Sequence, residues 1–325
     1  MKSEILKQLR ERGDYVSGQE LCRHFGVSRT AIWKAIQRLE EEGYEIRAVR
    51  NKGYLLVDTC DIMTKTEIES CIRGNFGREV EYHETIDSTN TRAKLLAEEG
   101  AAWGTLVVSD CQEAGRGRRG RAWVSPSGKN VFMSLILRPD IHPASASMLT
   151  LVAALAVYDG IKKATGLETG IKWPNDIVSN GKKVCGILTE MSAEPEGIHY
   201  VVAGIGINAN MEGFPEEVSQ TATSLFLETG KTVRRSQLIA AIMEAFEQYY
   251  EEFMSQGDLS GLISVYNNHM ANMGKEVRVL ESAGEYTGKA LGINKKGELL
   301  VEVPGGEVRH VISGEVSVRG IYGYV

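Results

Sequence analysis

Gly115-Arg116-Gly117-Arg118-Arg119-Gly120-Arg121 is the stretch on which the reading of the fold turns. It satisfies Gly-x-Gly-x-x-Gly and comes after strand-like residues 106–109, so a dinucleotide-binding βαβ unit is the first reading to test. That unit needs a helix directly after the third glycine. The next residues are instead Ala122-Trp123-Val124-Ser125-Pro126-Ser127-Gly128, a loop and turn composition. Asp140 stands 20 residues beyond Gly120, but it comes after Pro139 at the end of a strand-like run, and the spacing is a coincidence. A Rossmann fold is therefore set aside. An anion-binding loop accounts for the residues better, because glycines let backbone N–H groups approach a ligand and four guanidiniums supply charged forks matched to phosphate and carboxylate oxygens. Four adjacent arginines repel one another, so such a loop should be mobile alone and order around an anion. A solvated surface turn or a nucleic-acid patch is the blander account.

Outward from the loop, residues 77–256 mix strands with two long helices. Strands are expected over 106–109, 131–137, 184–191 and 200–207, and helices over 145–164 and 235–254. They do not alternate regularly, which predicts an α/β or α+β catalytic domain with a mixed sheet. Before it the order is helix, helix, turn, helix, hairpin. Residues 3–12 form the first helix; Ser17 with Glu20 makes a capping box for a second through Phe25; Gly26 allows a sharp turn. Ser28 caps a third helix with Ile32, Ile36 and Leu39 as its apolar stripe. Strand-like residues 44–49 and 54–57 flank Arg50-Asn51-Lys52-Gly53 as a hairpin tip, completing the order of a winged helix-turn-helix. Residues 59–63 read as a boundary, since Thr64 with Glu67 opens a new capping box. From about Lys275, short β segments separated by Gly284, Gly288, Gly297, Gly305-Gly306 and Gly314 indicate a small barrel-like domain. The expected division is 1–60, 64–272 and 273–325.

Bulk properties agree with a multi-domain globular enzyme. The chain has 325 residues, 42% hydrophobic and 25% charged, which excludes disorder and fibrous repeats. Its charge of -6 hides a division: residues 1–59 hold 11 Lys+Arg against 9 Asp+Glu, or +2, leaving -8 for the rest. A mildly basic head on an acidic body is compatible with a nucleic-acid contact. Cys22, Cys60, Cys71, Cys111 and Cys185 are odd in number and widely spaced, without metal-ligand spacing, which favours reduced thiols. Residues 1–12 lack the apolar centre of a signal peptide, and the most apolar run, 148–158, is about half the ~20 residues that span a bilayer. A cytoplasmic protein with no membrane partner is expected.

Further motifs narrow the chemistry. No Gly-x-x-x-x-Gly-Lys-Ser/Thr, Gly-x-Ser-x-Gly or His-Glu-x-x-His occurs, and the six histidines form no cluster, which argues against P-loop, hydrolase and zinc-enzyme readings. Lys172-Trp173-Pro174-Asn175-Asp176 reads as a strand broken by proline that presents polar side chains at its mouth. Asn180-Gly181-Lys182 makes a hairpin turn that brings Lys183 to the entrance of the strand over 184–191; an ordinary exposed turn is the alternative. Asp87-Ser88-Thr89-Asn90 is readable as a cap for a helix over 91–99, and Ala203-Gly204-Ile205-Gly206-Ile207-Asn208 as a buried strand with close backbone approach.

Together, the Gly115 to Arg121 and Lys172 to Asp176 motifs resemble the biotin protein ligase family, in its long form with a DNA-binding head, over essentially the whole chain. The resemblance implies a central ligase domain and an SH3-like β-barrel at the carboxyl end. It implies ATP, Mg²⁺ and biotin as ligands. Ser88, Thr89, Asn90, Gln112, Arg116, Gly117, Arg118, Lys183, Gly186 and Gly204 would contact biotin. Arg118, Arg121, Trp123, Asn175, Asp176 and Asn208 would contact the nucleotide, with Asp176 also positioning magnesium. Arg116, Arg118 and Lys183 would carry the chemistry. The partners implied are the biotin-carrier domain of acetyl-CoA carboxylase or a related carboxylase, operator DNA, and a second copy of the chain when the adenylate is bound. Two rivals are a lipoate or octanoate ligase of the same architecture and a ligand-sensing repressor without ligase activity.

In the head, the second helix of the pair is the one that enters a major groove, and Arg29, Thr30 and Lys34 are its outward polar positions. Ser28 is a candidate for phosphate, Ser17 for a further DNA contact, and Arg47, Arg50 and Lys52 on the wing for backbone or minor-groove contacts. The alternative is a small domain that packs on the ligase or binds protein, with Trp33 in its core or interface.

Overall fold

Side-chain caps and one glycine turn shape the first elements. A computed structural model of the chain describes residues 1–57, 61–195, 197–281, 284–313, 317–320 and 324–325. Helix α1 (Lys2–Arg12) precedes α2 (Gly18–Phe25), which starts at Ser17, whose hydroxyl accepts the Glu20 N–H. Gly26 then takes φ 64°, a left-handed conformation that glycine adopts without steric cost, and turns the chain toward α3 (Arg29–Glu41), capped by Ser28. β1 (Ile46–Val49) and β2 (Gly53–Leu56) pair as an antiparallel wing. Ile5, Leu6, Leu9, Leu21, Ile32, Ile36 and Leu39 bury one another in a core separate from that of the rest of the chain. The winged helix-turn-helix expected from the caps is present.

A half-buried ion pair ties this head to the central domain. Arg10 donates to both oxygens of Glu67 at 2.7 and 2.8 Å, and the Tyr44 hydroxyl donates to the same carboxylate at 2.8 Å. Glu67 lies on α4 (Lys65–Cys71), and the Thr64 side chain accepts its N–H as the capping box predicts. The boundary expected at 59–63 falls partly on residues 58–60, outside the described residues, as does Cys60. The other four cysteines are free thiols.

The central sheet grows from one parallel unit and a run of antiparallel strands. β3 (Val80–Ile86), crossover helix α5 (Thr89–Glu98) and β4 (Leu106–Gln112) form the parallel unit; β5 (Val131–Leu137) adds antiparallel to β4. Helix α6 (Met148–Thr165) begins three residues later than expected because residues 143–145, opened by Pro143, form a 3-10 turn. β6 (Gly170–Lys172), β7 (Asp176–Ser179), β8 (Lys182–Glu194) and β9 (Gly197–Ile207) complete seven strands in the order β3-β4-β5-β9-β8-β7-β6. This is the mixed sheet predicted, without Rossmann topology.

Short helices α7 (Glu216–Ser219) and α8 (Leu225–Thr229) precede α9 (Arg235–Gln256) and α10 (Ile263–His269). Leu149, Leu155 and Val157 of α6 with Ile239, Ile242 and Phe246 of α9 share the core beneath the sheet. Among the described residues one helical stretch, Pro143–Thr165, is long and apolar enough to cross a membrane by length and composition, longer than the run read from the sequence; 78% of its apolar window is buried inside the protein. The chain closes with β10 (Glu276–Glu281), β11 (Gly284–Ile293), β12 (Leu299–Glu302), β13 (Val308–Val311) and β14 (Ser317–Gly320), an antiparallel sheet in the order β13-β12-β11-β10-β14. It is consistent with the small barrel-like domain expected; among the described residues β13 and β14 are its edges, and Gly314 lies outside them.

Candidate functional site

Three glycines make the floor of a cleft at one end of the sheet. Gly204 and Gly206 lie on β9, and Gly186 on β8 is paired with Gly206. A Cβ at Gly204 would stand 2.0 Å from Asn90 Oδ1, and one at Gly206 would stand 2.8 Å from the Trp123 indole. Without those side chains, Asn90 and Trp123 lie directly on the backbone. The cleft encloses about 460 Å³, including space open to solvent. Ser88, Thr89, Asn90, Gln112, Arg116, Gly117, Arg118, Lys183, Gly186 and Gly204 all line it.

The turn before α5 serves this cleft and does not cap the helix by its side chain. Ser88 occupies the cap position but makes no side-chain cap bond. Gln112 Oε1 accepts the Thr89 N–H at 2.9 Å, and the Asn90 amide donates to Leu188 O at 3.2 Å and Glu190 Oε2 at 2.8 Å. Ser134, fully buried on β5, places its hydroxyl 2.8 Å from Thr89 Oγ1 and 2.6 Å from Asn90 Oδ1. Sequence reasoning missed Ser134, a lone hydroxyl in the apolar run Val-Phe-Met-Ser-Leu-Ile-Leu, because its partners are 44 and 45 residues away.

Beyond Trp123 lies a second cleft of about 1160 Å³, again including open space, lined by Arg118, Arg121, Trp123, Asn175, Asp176 and Asn208 among others. Gly117, Arg118, Trp123, Asn175 and Lys183 border both clefts, so the two meet there. Lys172-Trp173-Pro174-Asn175-Asp176 turns out to be the tip of the β6–β7 hairpin, Lys172 opposite Asp176, where a strand end was expected. Trp173 points away from the clefts: it is buried, and its indole donates to Gly297 O at 3.0 Å, which pins the hairpin to the carboxyl-terminal sheet. Asn180 (φ 46°) and Gly181 (φ 75°) make the hairpin turn that brings Lys183 into place, so the ordinary exposed turn is not its whole role.

Charge converges where the clefts meet. Lys183 Nζ lies 2.6 Å from Asp176 Oδ1 and 5.1 Å from the Trp123 ring centre. Arg118 donates to Asn175 Oδ1 at 2.9 Å. Burial pulls the Arg118 guanidinium below its ordinary value, and Arg119 and Arg121 add to that against the opposing charge of Asp176. A cation held under these conditions gains from an incoming anion. The Trp123 indole N–H is buried and has no acceptor among the described residues, a donor left for a ligand. Asn208 spends its amide on Thr223 O at 3.1 Å and Lys183 O at 3.5 Å, so it braces the wall.

The arginine loop itself is a small hairpin: Gly117 N–H donates to Arg121 O at 2.7 Å, and Trp123 N–H to Gly115 O at 2.9 Å. It holds only a single 3-10 turn, Arg118–Gly120, interrupted by Arg119 at φ 60°. The Rossmann reading fails here in the structure as it does in the sequence.

On the head, a groove between the helix pair and the wing is lined by Ser17, Arg29, Arg50 and Lys52. Ser28, Thr30, Lys34 and Arg47 are exposed but lie outside that lining. Ser28 accepts the Ala31 N–H at 3.2 Å, and Arg47 lies 3.5 Å from Glu45. Trp33 is 49% exposed, which removes it from the core.

Residues 82–208 match the Biotin/lipoate A/B protein ligase family, residues 2–55 an HTH domain, and residues 273–319 the biotin protein ligase C-terminal domain. The chain is 40% identical over 322 residues, 98% of each protein, to the bifunctional ligase/repressor BirA of Bacillus subtilis. The chain belongs to the biotin protein ligase family. The bifunctional ligase/repressor of Escherichia coli is 32% identical over 308 residues, 94% of each chain. Among solved structures, the biotin protein ligase from Aquifex aeolicus in complex with biotin and ATP superposes with a TM-score of 0.67 at 31% identity, covering 75% of this chain and 99% of that one.

Proposed function

We propose that the chain is an ATP-dependent biotin protein ligase that also represses transcription, with biotin in the glycine-floored cleft and ATP in the adjoining one. The observation that carries this reading is the meeting of the two clefts at Arg118 and Lys183, with Asp176 beside them. The ureido ring of biotin suits the Ser88, Thr89, Asn90 and Gln112 hydroxyls and amides. Its carboxylate then ends beside Arg116, Arg118 and Lys183.

The reaction joins two anions, so the site has to neutralise both. A biotin carboxylate oxygen attacks the α-phosphorus of ATP, the bond to the β-phosphate oxygen breaks, and pyrophosphate leaves. Lys183 and Arg118 offset the charge on the carboxylate and the transferring phosphoryl group. Arg121, Trp123, Asn175 and Asn208 line the nucleotide side. Magnesium arrives with ATP as part of the substrate; such an ion needs only one or two protein carboxylates, and Asp176 is the carboxylate placed to hold it. Biotinyl-5′-AMP is a mixed anhydride that water would hydrolyse, so the Gly115 to Arg121 loop also serves to exclude solvent. An acceptor lysine of a biotin-carrier domain, of the acetyl-CoA carboxylase type, attacks the acyl carbon and AMP departs.

The test is transfer of labelled biotin to an apo biotin-carrier domain with ATP and Mg²⁺. No transfer from biotin contradicts the ligase reading, and transfer from lipoate selects the lipoate rival. Arg118→Ala should release the adenylate early, read as acylation of bystander lysines by mass spectrometry; a variant that retains the adenylate like the wild type would remove the loop's closing role. Gly204→Ala should weaken biotin binding about tenfold, because Asn90 is held by Ser134 and Leu188 O and cannot yield to the new methyl. Calorimetry giving an unchanged affinity would show that Asn90 does not read the ligand.

The head takes its role from the same reading. Arg29, Thr30 and Lys34 meet base edges, and Ser17, Ser28, Arg47, Arg50 and Lys52 meet phosphates, in a homodimer that forms when the adenylate is bound and binds a two-fold operator. Adenylate-dependent retention of operator DNA should fall steeply with salt. Retention left unchanged by deletion of residues 1–59 would sink the assignment.

A further inference from the structure

Lys183 faces the cleft because the sheet breaks its alternation there. β7 and β8 pair Ile177 with Cys185 but Val178 with Lys183, so Val184 is an extra residue on β8. The bulge turns Val184 into the core beside Cys185, both fully buried, and puts Lys183 on the face of Gly186, where a Cβ would stand 3.0 Å from Lys183 Nζ. The ladder between β8 and β9 starts only at Cys185, and the Lys183 backbone takes its partners from residues 221–223 instead. Its N–H donates to Thr221 O at 2.7 Å, and its carbonyl accepts the Thr223 N–H at 2.9 Å. Glu228 on α8 holds both flanks of this arrangement. Its Oε2 accepts the Ser179 hydroxyl at 2.8 Å and the Asn180 amide at 2.6 Å, at the turn between β7 and β8, and its Oε1 accepts the Thr223 hydroxyl at 2.6 Å.

We propose that Glu228 is a positioning residue for Lys183, a role that rests on reading Lys183 as the cation that meets the biotin carboxylate and the α-phosphate. Glu228 itself is not among the residues lining either cleft. It acts through the backbone. A bulge is a place where the ladder is locally disrupted, so the aim of a long side chain on it depends on what braces the chain from outside. Here the braces are the β7–β8 turn on one side and residues 221–223 on the other, and one carboxylate bonded to both makes them a single unit. Thr221 and Ala222 of that segment line the nucleotide-side cleft, so the wall that receives the nucleotide is also the wall that places the lysine. Burial alone would raise the Glu228 carboxyl, but donation from Thr223, Ser179 and Asn180 holds it below its ordinary value of 4.5, and the acceptor stays a carboxylate at neutral pH. A displacement of about 1 Å at a reacting group costs on the order of 10²-fold in rate, so the clamp is read chiefly in the chemical step.

Full-length Glu228→Met and Glu228→Gln test the clamp by two routes. Hydrogen exchange resolved to single amides needs no reaction: in Glu228→Met the Lys183 and Thr223 amides should exchange about tenfold faster, while those of Ile187 and Ile205, paired further along β8 and β9, keep their wild-type rates. Single-turnover formation of biotinyl-5′-AMP at saturating biotin and ATP should slow about tenfold in the same variant. Added to Lys183→Met, Glu228→Met should slow adenylation by less than about twofold further, because the side chain it places is already gone. Glu228→Gln keeps an acceptor, and the Ser179 and Thr223 hydroxyls rotate to suit an amide, so its rate should recover to within about threefold of wild type. Wild-type exchange at both amides in Glu228→Met, or adenylation at the wild-type rate, overturns the proposal. So does a second full loss of about tenfold in the Lys183→Met background, which a merely structural role would give. A wild-type chain whose Lys183 amide is protected but which forms no adenylate sinks the ligase reading, and the clamp is then decided by the exchange rates alone.

Discussion

Lys183→Met slows formation of biotinyl-5′-AMP by about 10²–10³-fold, the effect of removing a preorganised charge from a site where two anions must meet. The substitution keeps most of the side-chain length and removes only the ammonium, which lies 2.6 Å from Asp176 and borders both clefts. Its consequence reaches past the lost attraction. Asp176 would also lose the cation that faces it, so the junction of the clefts carries one positive charge fewer where the two anions meet. Single-turnover measurement of adenylate formation, at saturating biotin and ATP, separates this from weaker binding. A variant whose single-turnover rate stays within threefold of wild type would remove Lys183 from the chemistry.

Arg235→Met destabilises the chain by about 3–5 kcal/mol, the effect of breaking one side of a buried ion-pair cluster. Arg235 is 4% exposed, and its guanidinium donates to Asp61 Oδ2 at 2.5 Å, to Asp110 Oδ1 at 2.6 Å and to Asn130 O at 3.2 Å. Its backbone N–H donates to Asp61 Oδ1 at 2.8 Å as well. Methionine fills the space but leaves two carboxylates without their cation. For a domain of this size the unfolding midpoint should fall by on the order of 10 °C in scanning calorimetry. Burial by itself would raise the Asp110 carboxyl, but donation from Ser127 and from Arg235 holds it below its ordinary value of 3.8. The stability this gives is complete above that ordinary value and is lost as pH falls through the lower folded one. The gap between wild type and variant should therefore narrow in acid; a gap that widens there would contradict the arrangement.

Much of the fold is legible in the sequence because it is local. Ser17, Ser28 and Thr64 each accept the N–H three residues on, and a cap depends on neighbours within one turn, so three helix starts can be read directly. The strand over 131–137 has the bounds expected, since an unbroken apolar run fully buried within a sheet has no polar residue to blur its ends. The reading of β8 over 184–191 is too short; polar Ser192 and Glu194 continue it because β9 supplies their ladder out to Gly197, a pairing invisible in the strand's own composition. The residues expected at biotin and at the nucleotide do converge on two adjoining clefts, but it is the family motifs, with no help from periodicity, that suggest them. Ser134 and the pairing of Asp61 with Arg235 are not legible. Each acts through a partner between 44 and 174 residues away, and a single serine or aspartate carries no signal of such a contact.

The most direct test of the two-cleft account is to incubate the purified chain with biotin and MgATP, with no acceptor protein, and to identify by mass spectrometry what remains bound. About one equivalent of biotinyl-5′-AMP per chain, transferred intact to one lysine when an apo biotin-carrier domain is added, is the result expected of Arg118 and Lys183 joining the clefts. Bound biotin and ATP with no adenylate, or an adenylate formed equally well from lipoate, would contradict it.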